Sequence, residues 1–302
     1  MNALNTLEER LLERFAPGRI ARDVPLSGWT TLRVGGPADL FLSVQSPEDV
    51  RFALLACAQC GVPFLLLGNG SNLLVRDGGF RGLALHMGKA YSNIAVQGNR
   101  LLAQSGAPLS ALAKLAAEHG LAGLAFAGGI PGTVGGGVYM NAGAYGGELA
   151  QTVCRVRALT MGGEILDVAG DEMRFSYRHS RAMDEGWMIL EAEFSLTPGD
   201  KEQIYAEMAD YAARRRDKQP LQYPSAGSFF KRPAGHFAGA LIEEAGLKGH
   251  AVGGAQVSEK HAGFLINTGG ATAADFLGLM ADVQSAVLER FGVRLEPEVR
   301  IV

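Results

Sequence analysis

In the stretch "SAGSFFKRP", residues 225 to 233, a lone hydroxyl, Ser228, stands between Gly227 and two phenylalanines. Any single serine more often satisfies nearby backbone than reacts. The alternative is that Gly227 lets a ligand come close, Phe229 and Phe230 exclude water, and the hydroxyl faces a reacting atom. The stretch alone leaves both readings open. Two other segments carry groups able to stabilise charge. "FSYRHSR" puts Arg178 behind an aromatic residue, shortly before the apolar run "WMILEAEF". "LEPEVRIV" sets Glu296, Glu298 and Arg300 at alternate positions, hence on one face of a strand. A surface arginine and a solvent-facing charged edge are the ordinary explanations of such residues.

Backbone is a second resource. The chain has 41 glycines, about twice the usual ~7% share. They concentrate in "LGNGSN", in "AGGIPGTVGGGVYMNAGAYGGE" and between positions 246 and 270. "GNGSNL" begins like a dinucleotide fingerprint, but Leu73 takes the third glycine's place and a strand follows; neither early cluster ends in the Gly-Lys-Ser/Thr of a P-loop. What remains is two loops rich in exposed N–H groups, punctuated by Ser71, Asn72, Thr133 and Asn141, which can cradle a diphosphate without a charged side chain. Cys57 and Cys60 form a C-x-x-C at the C-terminal end of a helix, where the dipole disfavours thiolate, and no second pair exists. They read as structural cysteines. The six histidines show no ligand spacing, so no metal is expected.

Regular elements must hold these groups. "SPEDVRFALLACAQCG" predicts a helix with Ser46 as N-cap, Pro47 in its first turn and Gly61 as its stop. "VPFLLLGNGSNLLV" predicts strand, loop, strand, giving a βαβ opening. "LSALAKLAAEHG" is a second helix ended by Gly120, while "IAVQGNRLLAQSG" and "VRALTMGGEILDV" are hairpins turning at Gly98 and at Gly162 and Gly163. "GWMILEAEFSL" is a further strand. Past residues 197 to 200 the pattern changes to a helix ended by Pro220, and a last helix runs from about 273 to 291 behind Thr272.

Apolar content of 47% supplies core for two or three domains. A net charge of −3 leaves no basic footprint for nucleic acid, and no run approaches the roughly 20 apolar residues of a membrane span. Acidic residues in "MNALNTLEERLLERF" exclude a signal or transit peptide. Three cysteines favour a reducing compartment, hence the cytoplasm.

Taken in order, "TTLRVGGPA", "LGNGSNLLV", "GIPGTVGGGVYMNAGAYGGE", "FSYRHS", "AGSFFKRP", "HAGFLIN" and "LEPEVRIV" resemble, over nearly the whole chain, the UDP-N-acetylenolpyruvoylglucosamine reductase family. Each motif is modest alone; the ordered set is specific. The resemblance implies an α+β fold: a two-part FAD-binding region of the vanillyl-alcohol-oxidase/PCMH type, with subdomains 1–85 and 86–197, and a C-terminal α+β substrate-binding domain, 198–302. It also implies a flavoprotein oxidoreductase of peptidoglycan synthesis, and so of cell wall biogenesis, cell shape and division. Such an enzyme holds FAD noncovalently, takes hydride from NADPH, and reduces UDP-N-acetylglucosamine enolpyruvate to UDP-N-acetylmuramate in two half-reactions at one site. A cytoplasmic monomer is expected.

By the same resemblance Arg178 and Glu298 stabilise an enolate, Glu298 as the neutral acid because a carboxylate would repel it, and Ser228 donates the proton. FAD would lie on Leu67, Gly68, Asn69, Gly70, Ser71, Asn72 and Leu73 and on Gly128, Gly129, Ile130, Pro131, Gly132, Thr133, Gly135, Gly136 and Gly137, with Thr31, Asn141 and Arg300 nearby. Substrate contacts fall on Tyr145, Tyr177, Lys218, Arg232 and His261, and Lys218 also meets nicotinamide phosphates. Longer members have a tyrosine-bearing loop between the matched arginine and lysine. Only 40 positions separate Arg178 from Lys218 here, so the chain resembles the shorter form. Arg232 and His261 stand where some members have Asn and Gln. Two rivals remain: an FAD oxidase of the same superfamily with flavin tethered through His or Cys, and a non-catalytic UDP-sugar sensor. Retention of Arg178, Ser228 and Glu298 together argues against the sensor.

Overall fold

Two of the longer helices begin and end on residues that cap them. A computed structural model of the chain describes residues 2–302. Its helices are α1 Ala3–Leu12, α2 Pro47–Cys60, α3 Leu109–Glu118, α4 Val134–Tyr139, α5 Arg181–Asp184, α6 Lys201–Lys218, α7 Ala238–Glu244 and α8 Ala273–Phe291. The Ser46 side chain accepts from Asp49 N at the start of α2, and Gly61 closes that helix at φ +65°, a backbone that glycine adopts without strain. A capping box joins Thr272 and Asp275 at the start of α8. Asp77 adds to it by accepting from the N–H groups of Ala273 and Ala274 at 2.7 and 2.9 Å. The two predicted hairpins turn at Gly98 and Gly163, with φ of +59° and +82°.

Contacts divide the chain into two compact units. The first holds the residues up to Arg22, with Asp39–Asn69 and Gly82–Ala213; the second holds Asp23–Ala38, Gly70–Arg81 and Arg214–Val302. This division departs from the contiguous segments 1–85, 86–197 and 198–302. Leu73–Leu74 pairs in parallel with Arg300–Ile301, and Leu32, Val34 and Leu74 enter one core with Phe229, Phe276 and Val299. Two early stretches of chain therefore pack with the C-terminal region. Most of α6 stays with the first unit because Ile204, Met208 and Tyr211, spaced as one helical face, turn inward.

The first unit has two cores. One gathers Leu7, Leu40, Leu54, Leu85 and Tyr91 beside a sheet ordered Ile20–Pro25, Pro37–Ser43, Phe80–His86, Phe64–Leu67. The strand Phe80–His86 thus lies between the two strands of the predicted βαβ opening. The other core gathers Leu101, Leu112, Val156 and Phe194 beside a sheet ordered Ile165–Ala169, Val153–Leu159, Met188–Ser195, Arg100–Gln104, Ile94–Gln97. Cys57 is buried in the first core, and burial, with Cys60 beside it, pushes its thiol up to about 12, so it is no nucleophile at neutral pH. In the second unit a sheet ordered Ser225–Ser228, Phe264–Asn267, Ala255–Val257, Ala251–Val252 packs with α8. The helix inserts Phe276, Leu279, Val283 and Val287, all fully buried. Each contributes about 1.5–3 kcal/mol of burial. Among the described residues no helix is long and apolar enough to cross a membrane.

Candidate active site

In the first unit the two glycine-rich segments meet. Asn69 Nδ2 donates to the Pro131 carbonyl at 2.8 Å, and a Cβ on Gly68 would stand 2.5 Å from Thr133 Oγ1. The second segment is not a loop throughout, as its composition predicts: Ala125–Gly129 is a 3-10 turn and Val134–Tyr139 forms α4. Gly135 and Gly137 serve packing, since a Cβ would come within 1.7 Å of Ser105 Oγ at the former and 2.9 Å of Leu109 Cδ1 at the latter. Gly136 is different. It is exposed, and a Cβ there would meet nothing nearer than 3.7 Å. Glycine in a helix costs roughly 0.5–1 kcal/mol relative to alanine, and no protein atom requires it at 136. The amides of Asn69, Gly70, Ser71 and Asn72, and those of Gly132 and Thr133, donate to no acceptor among the described residues. Leu67 and Leu73 bury their side chains and offer backbone alone.

Arg178 also lies in the first unit. Ser176 and His179 exchange backbone hydrogen bonds of 3.1 Å each, closing a tight turn in which Arg178 has φ +55°. Such a position normally takes Gly or Asn. Its guanidinium donates to the Gly143 carbonyl at 3.2 Å and lies over the Tyr177 ring, 5.0 Å from the centroid. Gly143 opens a small hairpin, Gly143–Ala144 with Gly147–Glu148, whose tip carries Tyr145. Asn141 holds the arrangement: fully buried, it donates from Nδ2 to the Ser176 carbonyl at 3.0 Å and accepts from Ala150 N at 2.9 Å. Both ends of its amide are occupied within the protein. The side chain thus ties the Arg178 turn to the segment that follows α4.

The second unit assembles another set on adjacent backbone rows. Thr31 N donates to the Gly70 carbonyl at 3.3 Å, and the buried Thr31 Oγ1 has no hydrogen-bond partner. Gly70, at φ +58°, leaves no room for a Cβ, which would sit 2.1 Å from the Trp29 carbonyl oxygen. Asn72 Nδ2 donates to the Glu298 carbonyl, and Asn72 O accepts from Arg300 N, both at 3.0 Å. Glu298 N in turn donates to the Phe229 carbonyl at 2.9 Å. Ser228 ends the edge strand Ser225–Ser228, whose register slips by one residue against Phe264–Asn267, and Gly227 at φ +77° sits in that bulge. Bulges re-aim side chains. Ser228 is exposed, and among the described residues its hydroxyl bonds to no protein group. Phe229 and Phe230 do not line a pocket beside it, as the sequence suggested: they are buried in the core, where Phe229 stacks on Phe276 at 6.2 Å.

Lys218 and His261 are electrostatic neighbours in this unit. Burial first of all, with Lys248 and Lys218 contributing, lowers the His261 pKa against the opposing pull of its backbone hydrogen bond and Glu243. His261 Nδ1 accepts from Gly263 N at 3.1 Å, which leaves the neutral ring's proton on Nε2 as a donor. Arg232 is exposed and lies over the Phe237 ring, 4.6 Å from its centroid. The structure thus joins Ser228 to Glu298, and Arg178 to Tyr145 and Tyr177, each set within its own unit. Sequence reasoning passed over Tyr211, Asp77 and Phe237. The first reads as one more inward position of an amphipathic helix, Asp77 gains its partners only through long-range packing, and Phe237 meets Arg232 five residues away.

Residues 219–302 match the UDP-N-acetylenolpyruvoylglucosamine reductase C-terminal domain, and residues 38–169 match an FAD binding domain. A UDP-N-acetylenolpyruvoylglucosamine reductase of Pediococcus pentosaceus is 47% identical over 98% of both chains. The chain belongs to the UDP-N-acetylenolpyruvoylglucosamine reductase family. Another reductase, from Latilactobacillus sakei, is 50% identical over 92% of this chain and 91% of its own. The crystal structure of the Thermus caldophilus reductase superposes with a TM-score of 0.82 at 36% identity, covering 94% of this chain and 98% of that one. The family member described here is therefore an α+β flavoprotein oxidoreductase with FAD as its cofactor.

The residues fit that cofactor. In the first unit the amides of Asn69, Gly132 and Thr133, undonated among the described residues, suit a diphosphate, and Gly136 leaves open the space a Cβ would fill. Gly136→Ala should therefore raise the melting temperature of the apoprotein by about 2–4 °C while weakening FAD binding. Thermal unfolding and flavin titration check it. An equal gain with and without FAD would remove Gly136 from the cradle.

Proposed function

We propose that this chain reduces UDP-N-acetylglucosamine enolpyruvate to UDP-N-acetylmuramate, using NADPH, in the cytoplasmic part of peptidoglycan precursor synthesis. The observation that carries the reading is the placing of an exposed, unbonded Ser228 on a bulged edge strand, one hydrogen-bonded row from Glu298. The substrate's enol double bond is conjugated with a carboxylate, so it accepts hydride at the remote carbon and becomes an enolate. FAD, held noncovalently, would supply hydride chemistry between NADPH and that carbon. The Arg178 fork and the Glu298 acid form charge-assisted hydrogen bonds to the developing oxyanion. Ser228 then delivers a proton from Oγ to the carbon next to the carboxylate. Lys218, Arg232 and the His261 Nε2 donor face the diphosphate and sugar, and Tyr145 and Tyr177 line the site.

The deciding experiment is NADPH consumption with and without UDP-N-acetylglucosamine enolpyruvate, followed by denaturation. Substrate-dependent consumption with release of free flavin is expected. Consumption indifferent to the substrate, or flavin retained on the denatured chain, would replace this reading with that of an oxidase. Folded protein that takes up no FAD would leave a binding protein.

A further inference from the structure

Tyr145 is an unusual residue for its place. It occupies the first central position of a two-residue hairpin turn, with φ +56°, and Gly146 follows at φ +88°. Turns of this kind favour Asn-Gly or Asp-Gly, and a tyrosine there accepts backbone strain while leaving 37% of its surface exposed. What holds its ring is Tyr211 of α6. The two rings lie 4.6 Å apart at an interplanar angle of 5°, and Tyr211 Oη donates to Glu207 Oε1 at 2.7 Å, one turn earlier on the same helix. The base of the same hairpin carries the Gly143 carbonyl that accepts from Arg178. A strained, exposed ring, backed face to face by a second ring and sharing its hairpin with a cation, is a platform rather than a core contact.

We propose that Tyr211 is a positioning residue of the substrate site: it backs Tyr145 so that the outer face of that ring stacks a flat nucleotide heterocycle. The heterocycle is either the uracil of the UDP-sugar or the nicotinamide of the hydride donor, which share a planar, neutral or weakly charged ring. The inference rests on the proposed function for the identity of these nucleotides. It adds a role for a residue lying between Arg178 and Lys218, where the short chain has no room for an inserted loop.

The test uses the FAD-loaded full chain as wild type, Tyr211→Ala, Tyr211→Phe and Tyr145→Ala. Kd for UDP and for NADP+ is measured by titration, with kcat, flavin content and melting temperature alongside. Tyr211→Ala is expected to weaken one nucleotide about tenfold, to leave the other nucleotide and the flavin content near wild type, and to change kcat less than threefold. The nucleotide affected identifies the ring. Tyr211→Phe, which keeps the stack and loses only the bond to Glu207, should restore that affinity. The double variant with Tyr145→Ala should lose little beyond either single change. Unchanged affinity for both nucleotides in Tyr211→Ala, with wild type turning over normally, would overturn the inference alone. So would parallel loss of flavin, stability and both nucleotides in the Ala and Phe variants. Wild-type protein that binds neither nucleotide and does not turn over would overturn the functional reading, and the inference with it.

Discussion

Replacing Ser228 by alanine is expected to lower turnover by about 10²–10⁴, while flavin binding and reduction of the flavin by NADPH stay near wild type. The forecast follows from where protonation occurs. Reducing the flavin with NADPH protonates no substrate carbon, so a missing hydroxyl should appear only when the enolpyruvyl substrate reoxidises it. The structure also weakens the ordinary explanation of this serine. Its hydroxyl bonds to no protein group among the described residues, and the bulge that presents it rests on Gly227 and on backbone pairing. Alanine there should leave the melting temperature within a degree or two. Rapid mixing that follows flavin colour in each half separately is the measurement. An unchanged oxidative half would take Ser228 out of the mechanism, and an equally slowed reductive half would point to a distorted flavin pocket.

Local chemistry was readable before any coordinates. Ser46, Pro47 and Gly61 announce α2, and Thr272 announces α8, because caps act within four residues. Tertiary demands were not. Gly135 and Gly137 looked like loop glycines, yet they are helical residues emptied of side chain so that Ser105 and Leu109 can approach. Phe229 and Phe230 looked like pocket walls, yet Ser228 is exposed while both rings are buried in the core. Asn141 stands out in the sequence only as a polar residue after a glycine run, and the fold shows its amide bonded to Ser176 and Ala150. Nothing in sequence spacing announces that Leu73–Leu74 pairs with Arg300–Ile301, since parallel pairing needs a partner distant along the chain.

Arg178→Lys is expected to cut substrate reduction by about 10²–10³, with flavin content and melting temperature close to wild type. The turn makes this comparison clean. Arg178 sits at φ +55° between two backbone hydrogen bonds, and lysine, likewise unbranched at Cβ, meets the same backbone cost there. What changes is the head group. Arginine can keep its bond to the Gly143 carbonyl and still direct further N–H groups at an oxyanion, because its five donors are fixed in one plane. A lysine ammonium is a point charge that cannot hold that carbonyl and present a planar fork together. Arg178→Gly supplies the opposing case. Glycine adopts this backbone freely, so relief of strain should offset the lost hydrogen bond and keep stability within about 1 kcal/mol of wild type, with activity gone. Flavin titration, thermal unfolding and oxidative half-reaction rates on the two variants check the argument. If Arg178→Lys loses flavin and turnover in equal measure, the arginine holds the fold of its turn and takes no part in the chemistry.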